Sequence, residues 1–142
     1  MSETPQRQDY PHRQPILTRW QDADANGHIA GATVYAYFDT TIQTFLQQQA
    51  GLDPQEGEVL GFVVSSAADF FALPAFPETL EVGLRVARLA GSTVEYQLGL
   101  FQAGEAQPCA AGKVVQVFVE RASGRPVTLP EALQAALLRL QG

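Results

Sequence analysis

The stretch Val34-Tyr35-Ala36-Tyr37-Phe38-Asp39-Thr40-Thr41-Ile42-Gln43-Thr44-Phe45-Leu46-Gln47-Gln48-Gln49 decides the fold. Val34, Phe38, Ile42, Phe45, Leu46 and Gln49 recur at helical spacing and fall on one stripe, with Tyr35 beside it. Ala30, Ala32, Ala36 and Tyr37 leave little polar surface on the first two turns, and a helix apolar nearly all round is a buried helix. Gly51 stands where helices take a left-handed residue to stop, and Pro54 follows it. The pattern predicts a buried helix over 31–50. About 18 helical residues run ~27 Å at 1.5 Å each, which is more than one strand can cover.

Working outward, the downstream sequence supplies that cover. After an acidic loop at 53–58, residues 60–71 read as a strand rich in Val and Phe, broken by Leu73-Pro74-Ala75-Phe76-Pro77. Leu80, Val82, Leu84 and Val86 alternate with Glu81, Gly83, Arg85 and Ala87, as a half-buried strand does. Ala90-Gly91 turns the chain, and Val94, Tyr96, Leu98 and Leu100 alternate next. A turn at 102–107 leads to a third meander strand at 110–119, whose near-continuous apolarity predicts cover on both faces. A short helix closes the chain. Thr128-Leu129-Pro130-Glu131 reads as its capping box, and Leu133, Leu137 and Leu140 as its apolar stripe. The economical arrangement is α+β, an antiparallel sheet curled around the long helix. The outer face still carries Val and Phe, and a second copy of the chain is the simplest cover for it.

Upstream of the helix, residues 14–21 read as a strand running into a polar turn, Asp22-Ala23-Asp24-Ala25-Asn26-Gly27-His28. Polar groups held between two buried elements are costly unless used or fully paired, so this junction is the default site. Residues 1–14 show no periodicity and read as a mobile arm, with the domain proper at 15–142.

Composition removes several function classes. The net charge of −6, with nine scattered Lys and Arg, lacks the basic face of a nucleic-acid binder. One cysteine, Cys109, forbids an intrachain disulfide, disfavours a thiolate metal site and reads as a small buried residue. No apolar run approaches the roughly 20 residues of a membrane span, and the first ten residues hold no apolar signal segment. A soluble cytoplasmic protein is expected. Ser65-Ser66 lacks the Gly-x-Ser-x-Gly elbow of a serine hydrolase.

Arg19-Trp20-Gln21-Asp22-Ala23-Asp24-Ala25-Asn26-Gly27-His28-Ile29, followed by Tyr35-Ala36-Tyr37-Phe38-Asp39, resembles the hotdog-fold acyl-CoA thioesterases of the 4-hydroxybenzoyl-CoA thioesterase type. The similarity extends over residues 13–140 and includes Phe118-Val119-Glu120-Arg121-Ala122-Ser123-Gly124-Arg125-Pro126-Val127 and Leu129-Pro130-Glu131. The resemblance implies a hotdog fold and hydrolysis of an acyl-CoA or acyl-carrier thioester to an acid and a free thiol. No metal or redox cofactor is implied, and coenzyme A enters only as part of the substrate. Asp24 falls on the family's catalytic carboxylate, as nucleophile or general base. The backbone N–H of Gly31 falls on the donor that polarises the thioester carbonyl. The family commonly carries two asparagines where this chain has Ala30 and Gly31. To the homodimer expected from the two-faced apolar sheet, the resemblance adds pairing of dimers into a tetramer as a further step.

Other residues carry two readings each. Asp24 is also a good Asx-turn or helix-cap aspartate. Asp22 is expected to pair with Arg19 or cap the turn. Asn26 and Gly27 set turn geometry or touch substrate. His28 touches substrate or braces the loop. Tyr35 is a substrate, core or dimer contact, and Tyr37 a core or dimer contact. Asp39, mid-helix among apolar residues, is expected to form an ion pair across subunits. For the nucleotide of coenzyme A, Arg88 and Ser92 flank one turn and Arg121 and Arg125 flank another, with solvated loop charge as the plain reading. Two rival functions remain: an idle hotdog that binds an acyl group or a partner, and a calcium loop on Asp22-x-Asp24-x-Asn26-Gly27. The calcium loop lacks its Glu, since its twelfth position is Thr33.

Overall fold

The computed structural model describes residues 4–141. Five strands form one antiparallel sheet: β1 (His12–Leu17), β2 (Val59–Phe70), β3 (Thr79–Ala90), β4 (Thr93–Gln102) and β5 (Ala110–Glu120). Two helices accompany it, α1 (Gly31–Gln49) and α2 (Glu131–Leu138). The strand order is β1-β3-β4-β5-β2, so β1 and β2 are the edges. The α+β expectation of a sheet around a long helix holds.

The alternating residues of β3 and β4 build the concave face. Leu80, Val82, Leu84, Leu98 and Leu100 are fully buried there, together with Phe38, Ile42 and Leu46 from α1. Leu133, Leu137 and Leu140 of the last segment join the same core. The helix stops as expected. Gly51 takes φ +70°, and the Leu52 N–H reaches back to the Leu46 carbonyl at 3.0 Å.

Several expectations change. Within one protomer α1 is not buried all round: Ala32, Ala36, Asp39 and Thr40 are exposed. Small residues suit either environment, so their apolarity did not determine their burial. Asp39 therefore meets water and has no need of a partner within the protomer. β1 starts at His12 and ends at Leu17, where a strand over 14–21 was expected. The chain then makes a 3-10 turn at Trp20–Asp22, because the Asp22 carboxylate folds back to accept the Arg19 N–H at 2.9 Å. No capping box forms on α2: its cap position is Pro130, with no side-chain cap bond. On β5 only the inner face is covered throughout, since Lys113 on the outer face is exposed.

The arm expected over 1–14 is docked where it is described; its first three residues, and Gly142, lie outside the described residues. Tyr10 is 1% exposed. Arg7 holds Glu81 of β3 with two bonds of 2.5 and 3.1 Å. The segment crosses the outer face of the sheet. Edge strand β2 carries Phe62, Val63 and Val64 at 53, 47 and 61% exposure. Such an apolar edge invites another chain.

Candidate active site

The polar turn folds on itself and onto the loop after β2. Ala23 bridges Ile29, and His28 bridges Ala75. The Asp24 N–H donates to the His28 carbonyl at 2.7 Å, the Ile29 N–H to Pro74 at 2.8 Å, and the Phe76 N–H to Gly27 at 3.1 Å. Gly27 has φ +82°, a backbone state that favours glycine. Trp20, exposed, sets its ring edge-on to Phe76 at 5.7 Å between centroids.

Asp24 is exposed at the tip. Its Oδ1 accepts the N–H groups of Asn26 at 2.9 Å and His28 at 3.2 Å. Among the described residues, every hydrogen bond to this side chain ends on Oδ1. One oxygen fixes the carboxylate and the other is left for a ligand or water. The Asx-turn reading is thus realised, and it leaves a positioned oxygen for chemistry.

Asp22 pairs with Arg19 as expected and has an additional partner. It is buried, with Oδ2 accepting the Arg19 N–H and the Tyr37 hydroxyl at 2.8 Å, and Oδ1 lying 3.4 Å from the Arg19 guanidinium. Burial opposes its charge, but the Tyr37 hydroxyl, the Arg19 N–H and the Arg19 charge outweigh that and hold its carboxyl below the usual range. Burial and then Asp22 push the Tyr37 hydroxyl upward, so it stays protonated as a donor. In sequence Tyr37 read as a core or dimer contact, and this bond was not legible. The only signal was a phenol on a buried helix face, which needs an acceptor. Both Asp22 oxygens are thus already engaged by Arg19 and Tyr37, whereas a calcium loop needs its carboxylates turned to the ion.

Gly31 opens α1. The Thr33 and Val34 N–H groups turn to the Ala30 carbonyl at 3.0 and 3.2 Å, and the Ala30 N–H donates to Asp22. Among the described residues, the Gly31 and Ala32 N–H groups have no backbone partner. They are the open donors at the positive end of a 19-residue helix. Phe70, at the end of β2, stands beside them: a Cβ on Gly31 would lie 3.7 Å from its Cζ. Phe70 carried no signal in sequence.

The structure thus brings Asp24, Asn26, Gly27, His28 and Gly31 onto one loop and helix start. Tyr35 is half-buried near the start of α1. Arg88 and Ser92 do not join them. β1 pairs Leu17 with Thr79, so the Asp24 loop sits at the start of β3, whereas Arg88 and Ser92 flank its end. At ~3.3 Å per residue these ends lie roughly 30 Å apart. Arg121 bonds the Gly57 and Pro54 carbonyls, at 2.5 and 2.8 Å, at that same far end. Cys109 is buried, as expected.

Comparison with known proteins agrees with this architecture. The family model of the thioesterase-like superfamily matches residues 18–137. The PA5185 protein of Pseudomonas aeruginosa superposes with a TM-score of 0.95 at 54% identity, over 97% of this chain and 96% of that one. A Thermus thermophilus thioesterase complexed with coenzyme A and zinc is 28% identical, with a TM-score of 0.77 over 94% and 96% of the two chains. A Synechocystis 1,4-dihydroxy-2-naphthoyl-CoA thioesterase shares the fold, with a TM-score of 0.79 at 19% identity over 89% and 94%. No curated protein matches significantly. The expected hotdog fold stands. No helix among the described residues is long and apolar enough to cross a membrane.

Proposed function

The chain belongs to the thioesterase-like superfamily, and from that premise we propose that it hydrolyses an acyl-CoA thioester to a carboxylic acid and a free thiol, in the manner of the 4-hydroxybenzoyl-CoA type. The observation that carries this reading is Asp24. Two backbone N–H groups hold one of its oxygens, on the loop that leads into the open N–H groups of α1.

The thioester carbonyl would sit against the Gly31 N–H, where charge develops on oxygen as the carbon is attacked. One such donor is worth on the order of 10²–10³ in rate. Asp24 acts in one of two ways. As a general base it takes a proton from water while the water oxygen bonds to the carbonyl carbon; the tetrahedral species then expels thiolate, which is protonated to the thiol. As a nucleophile it attacks the carbonyl carbon, the C–S bond breaks to release thiolate as a mixed anhydride forms, and water then cleaves the anhydride to the acid and restores the Asp24 carboxylate. Hydrolysis in heavy-oxygen water under single turnover separates the two, because the anhydride route can place label in Asp24. Neither route consumes a redox cofactor or calls for a metal. Coenzyme A enters as the leaving thiol, a reading supported by the Thermus thioesterase in complex with coenzyme A. Acyl-CoA esters are cytoplasmic metabolites, and we place the activity there.

The apolar β2 edge supports a homodimer in which two β2 strands pair antiparallel near Val63 and Val64. Such pairing reverses the partner sheet. It therefore carries Arg88, Ser92 and Arg121 of the partner subunit to the edge where this protomer's Asp24 loop lies. That answers the roughly 30 Å separation within one chain and gives the nucleotide phosphates cations on the correct side. The exposed small-residue face of α1 is a second surface on which dimers can pair into a tetramer.

Ala30 and the Asx turn of Asp24 favour one alternative, an idle hotdog that binds acyl-CoA without cleaving it. A panel of aromatic, short and long acyl-CoA esters, assayed for thiol release, tests both. Turnover on at least one member supports hydrolysis. Tight binding with no turnover across the panel supports the idle reading.

A further inference from the structure

The outer face of the sheet, opposite α1, holds a second cavity. Gly83 of β3, Gly99 of β4 and Ala111 of β5 stand in register on neighbouring strands. They leave a trough with little side-chain bulk across three strands. Tyr10, with the Phe101 ring set edge-on to it over Gly99, fills its first two thirds. A Cβ on Gly83 would lie 2.6 Å from Tyr10 Cγ, and one on Gly99 would lie 3.0 Å from Tyr10 Cε2. The ring therefore runs from β3 towards β4, with its hydroxyl end directed at β5. The last third is a cavity of about 310 Å³, walled by Tyr10, Ala67, Asp69, Gln97, Ala111 and Lys113 among others.

Its wall has more donors than acceptors. The Tyr10 hydroxyl is buried and, among the described residues, has no hydrogen-bond partner, a condition that is costly if nothing meets it. Arg85 Nε donates to the Gln97 carbonyl oxygen at 2.6 Å, which leaves the Gln97 NH₂ to donate elsewhere. The Lys113 ammonium has a loose contact of 3.7 Å with Glu95. Against these three donors stands one lining carboxylate, Asp69. The surplus of donors favours an anion. Asp69 and Glu95 disfavour a dianion, and Ala67 and Ala111 offer a small apolar wall.

We propose that this cavity is a binding site for a small organic monocarboxylate, distinct from the Asp24 loop and bridging the N-terminal segment to the sheet through Tyr10. The inference does not rest on thioester hydrolysis, and its test does not read activity. Full-length protein is titrated with benzoate, with benzyl alcohol and inorganic phosphate as controls. Amide chemical shifts map the site, and hydrogen exchange follows residues 6–10. The expected result is saturable benzoate binding, with shifts at Gln97 and Lys113 and slowed exchange over 6–10. Lys113→Met and Tyr10→Phe should each weaken it about tenfold or more, the loss of one charge-assisted bond. The Lys113 side chain is half-exposed, so Lys113→Met decides the matter even if Tyr10→Phe loosens the segment. The proposal is overturned if benzoate shifts only the Asp24 loop, or if its affinity is unchanged in Lys113→Met. It is equally overturned if no binding occurs because a second copy covers the face, or if phosphate or benzyl alcohol binds as tightly.

Discussion

Tyr37 donates its hydroxyl proton to Asp22 Oδ2 at 2.8 Å, and that bond ties the second turn of α1 to the loop that carries Asp24. Both residues are 7% exposed, so water does not readily replace the bond. Tyr37→Phe leaves a buried carboxylate short of a donor, at about 1.5–3 kcal/mol, or several degrees of Tm. The acid side has a definite sign. The Asp22 carboxyl lies below its ordinary 3.8 in the fold. Its contribution is therefore present above that value and disappears as pH falls through the lower native one. Tyr37→Phe should flatten this loss in denaturant melts below about pH 4. An unchanged Tm in Tyr37→Phe would mean that the loop does not depend on the bond.

Asp24 and Asp22, two residues apart, should separate on substitution. Asp24→Asn keeps an acceptor for the Asn26 and His28 N–H groups but removes the base or nucleophile. Turnover should fall by about a hundredfold or more, with Tm nearly unchanged. Asp22→Asn should lower Tm and leave the turnover of the folded fraction largely intact. Thiol-release kinetics beside thermal melts read both. Normal turnover in Asp24→Asn with a folded, inactive Asp22→Asn would move the catalytic role to Asp22.

The elements legible in sequence were those whose side chains repeat at the backbone's own period. Leu80, Val82, Leu84 and Val86 alternate, and all four are buried in β3. Val34, Phe38, Ile42 and Phe45 likewise hold the buried stripe of α1. What depends on contacts between distant residues was hidden. Tyr37 and Asp22 are separated by 15 positions, and Tyr10 meets Gly83 and Gly99 only across the folded sheet. Pro130 misled differently: the Thr-x-x-Glu spacing was present, but the helix started two residues late for a capping box. At Asp24 the local pattern for an Asx turn and for a catalytic carboxylate is the same. Sequence left both open, and the geometry satisfies the first without consuming the second oxygen.

Gly31→Ala probes the helix start. The added Cβ meets Phe70 Cζ at 3.7 Å, an ordinary contact, and alanine is the better helix former by up to about 1 kcal/mol. Stability should hold or rise slightly. The same methyl narrows the approach to the open N–H, so kcat/KM should fall while Asp24 is untouched. Loss of stability without loss of kcat/KM would remove the Gly31 N–H from the site.

Val64 tests the dimer. It is 61% exposed on the β2 edge, where the pairing with β5 shifts register between Val63 and Ser65. A charge there faces water in a monomer but is buried in a β2–β2 dimer. Light scattering should give wild type at twice the 15.4 kDa chain mass, or four times if dimers pair, and Val64→Lys should shift it towards the monomer. A wild-type protein that scatters as a monomer at micromolar concentration would defeat the dimer.

His12 gives the protein a second acid-sensitive window, separate from that of Asp22. Its ring lies edge-on to Phe45 of α1 at 5.1 Å between centroids, and among the described residues its buried Nε2 has no hydrogen-bond partner. Burial therefore lowers its pKa below the ordinary 6.5, since a proton there would place an unpaired charge against the core. The unfolded chain binds that proton at a higher pH than the fold does. Stability is consequently full above about pH 6.5 and is lost as pH falls from there towards the native value. His12→Phe preserves an aromatic contact with Phe45 and cannot titrate. Denaturant melts at pH 7.5 and 5.5 should show a smaller difference in stability for His12→Phe than for wild type, with the variant at least as stable at pH 5.5. An equal difference in the two proteins would assign this window to another group.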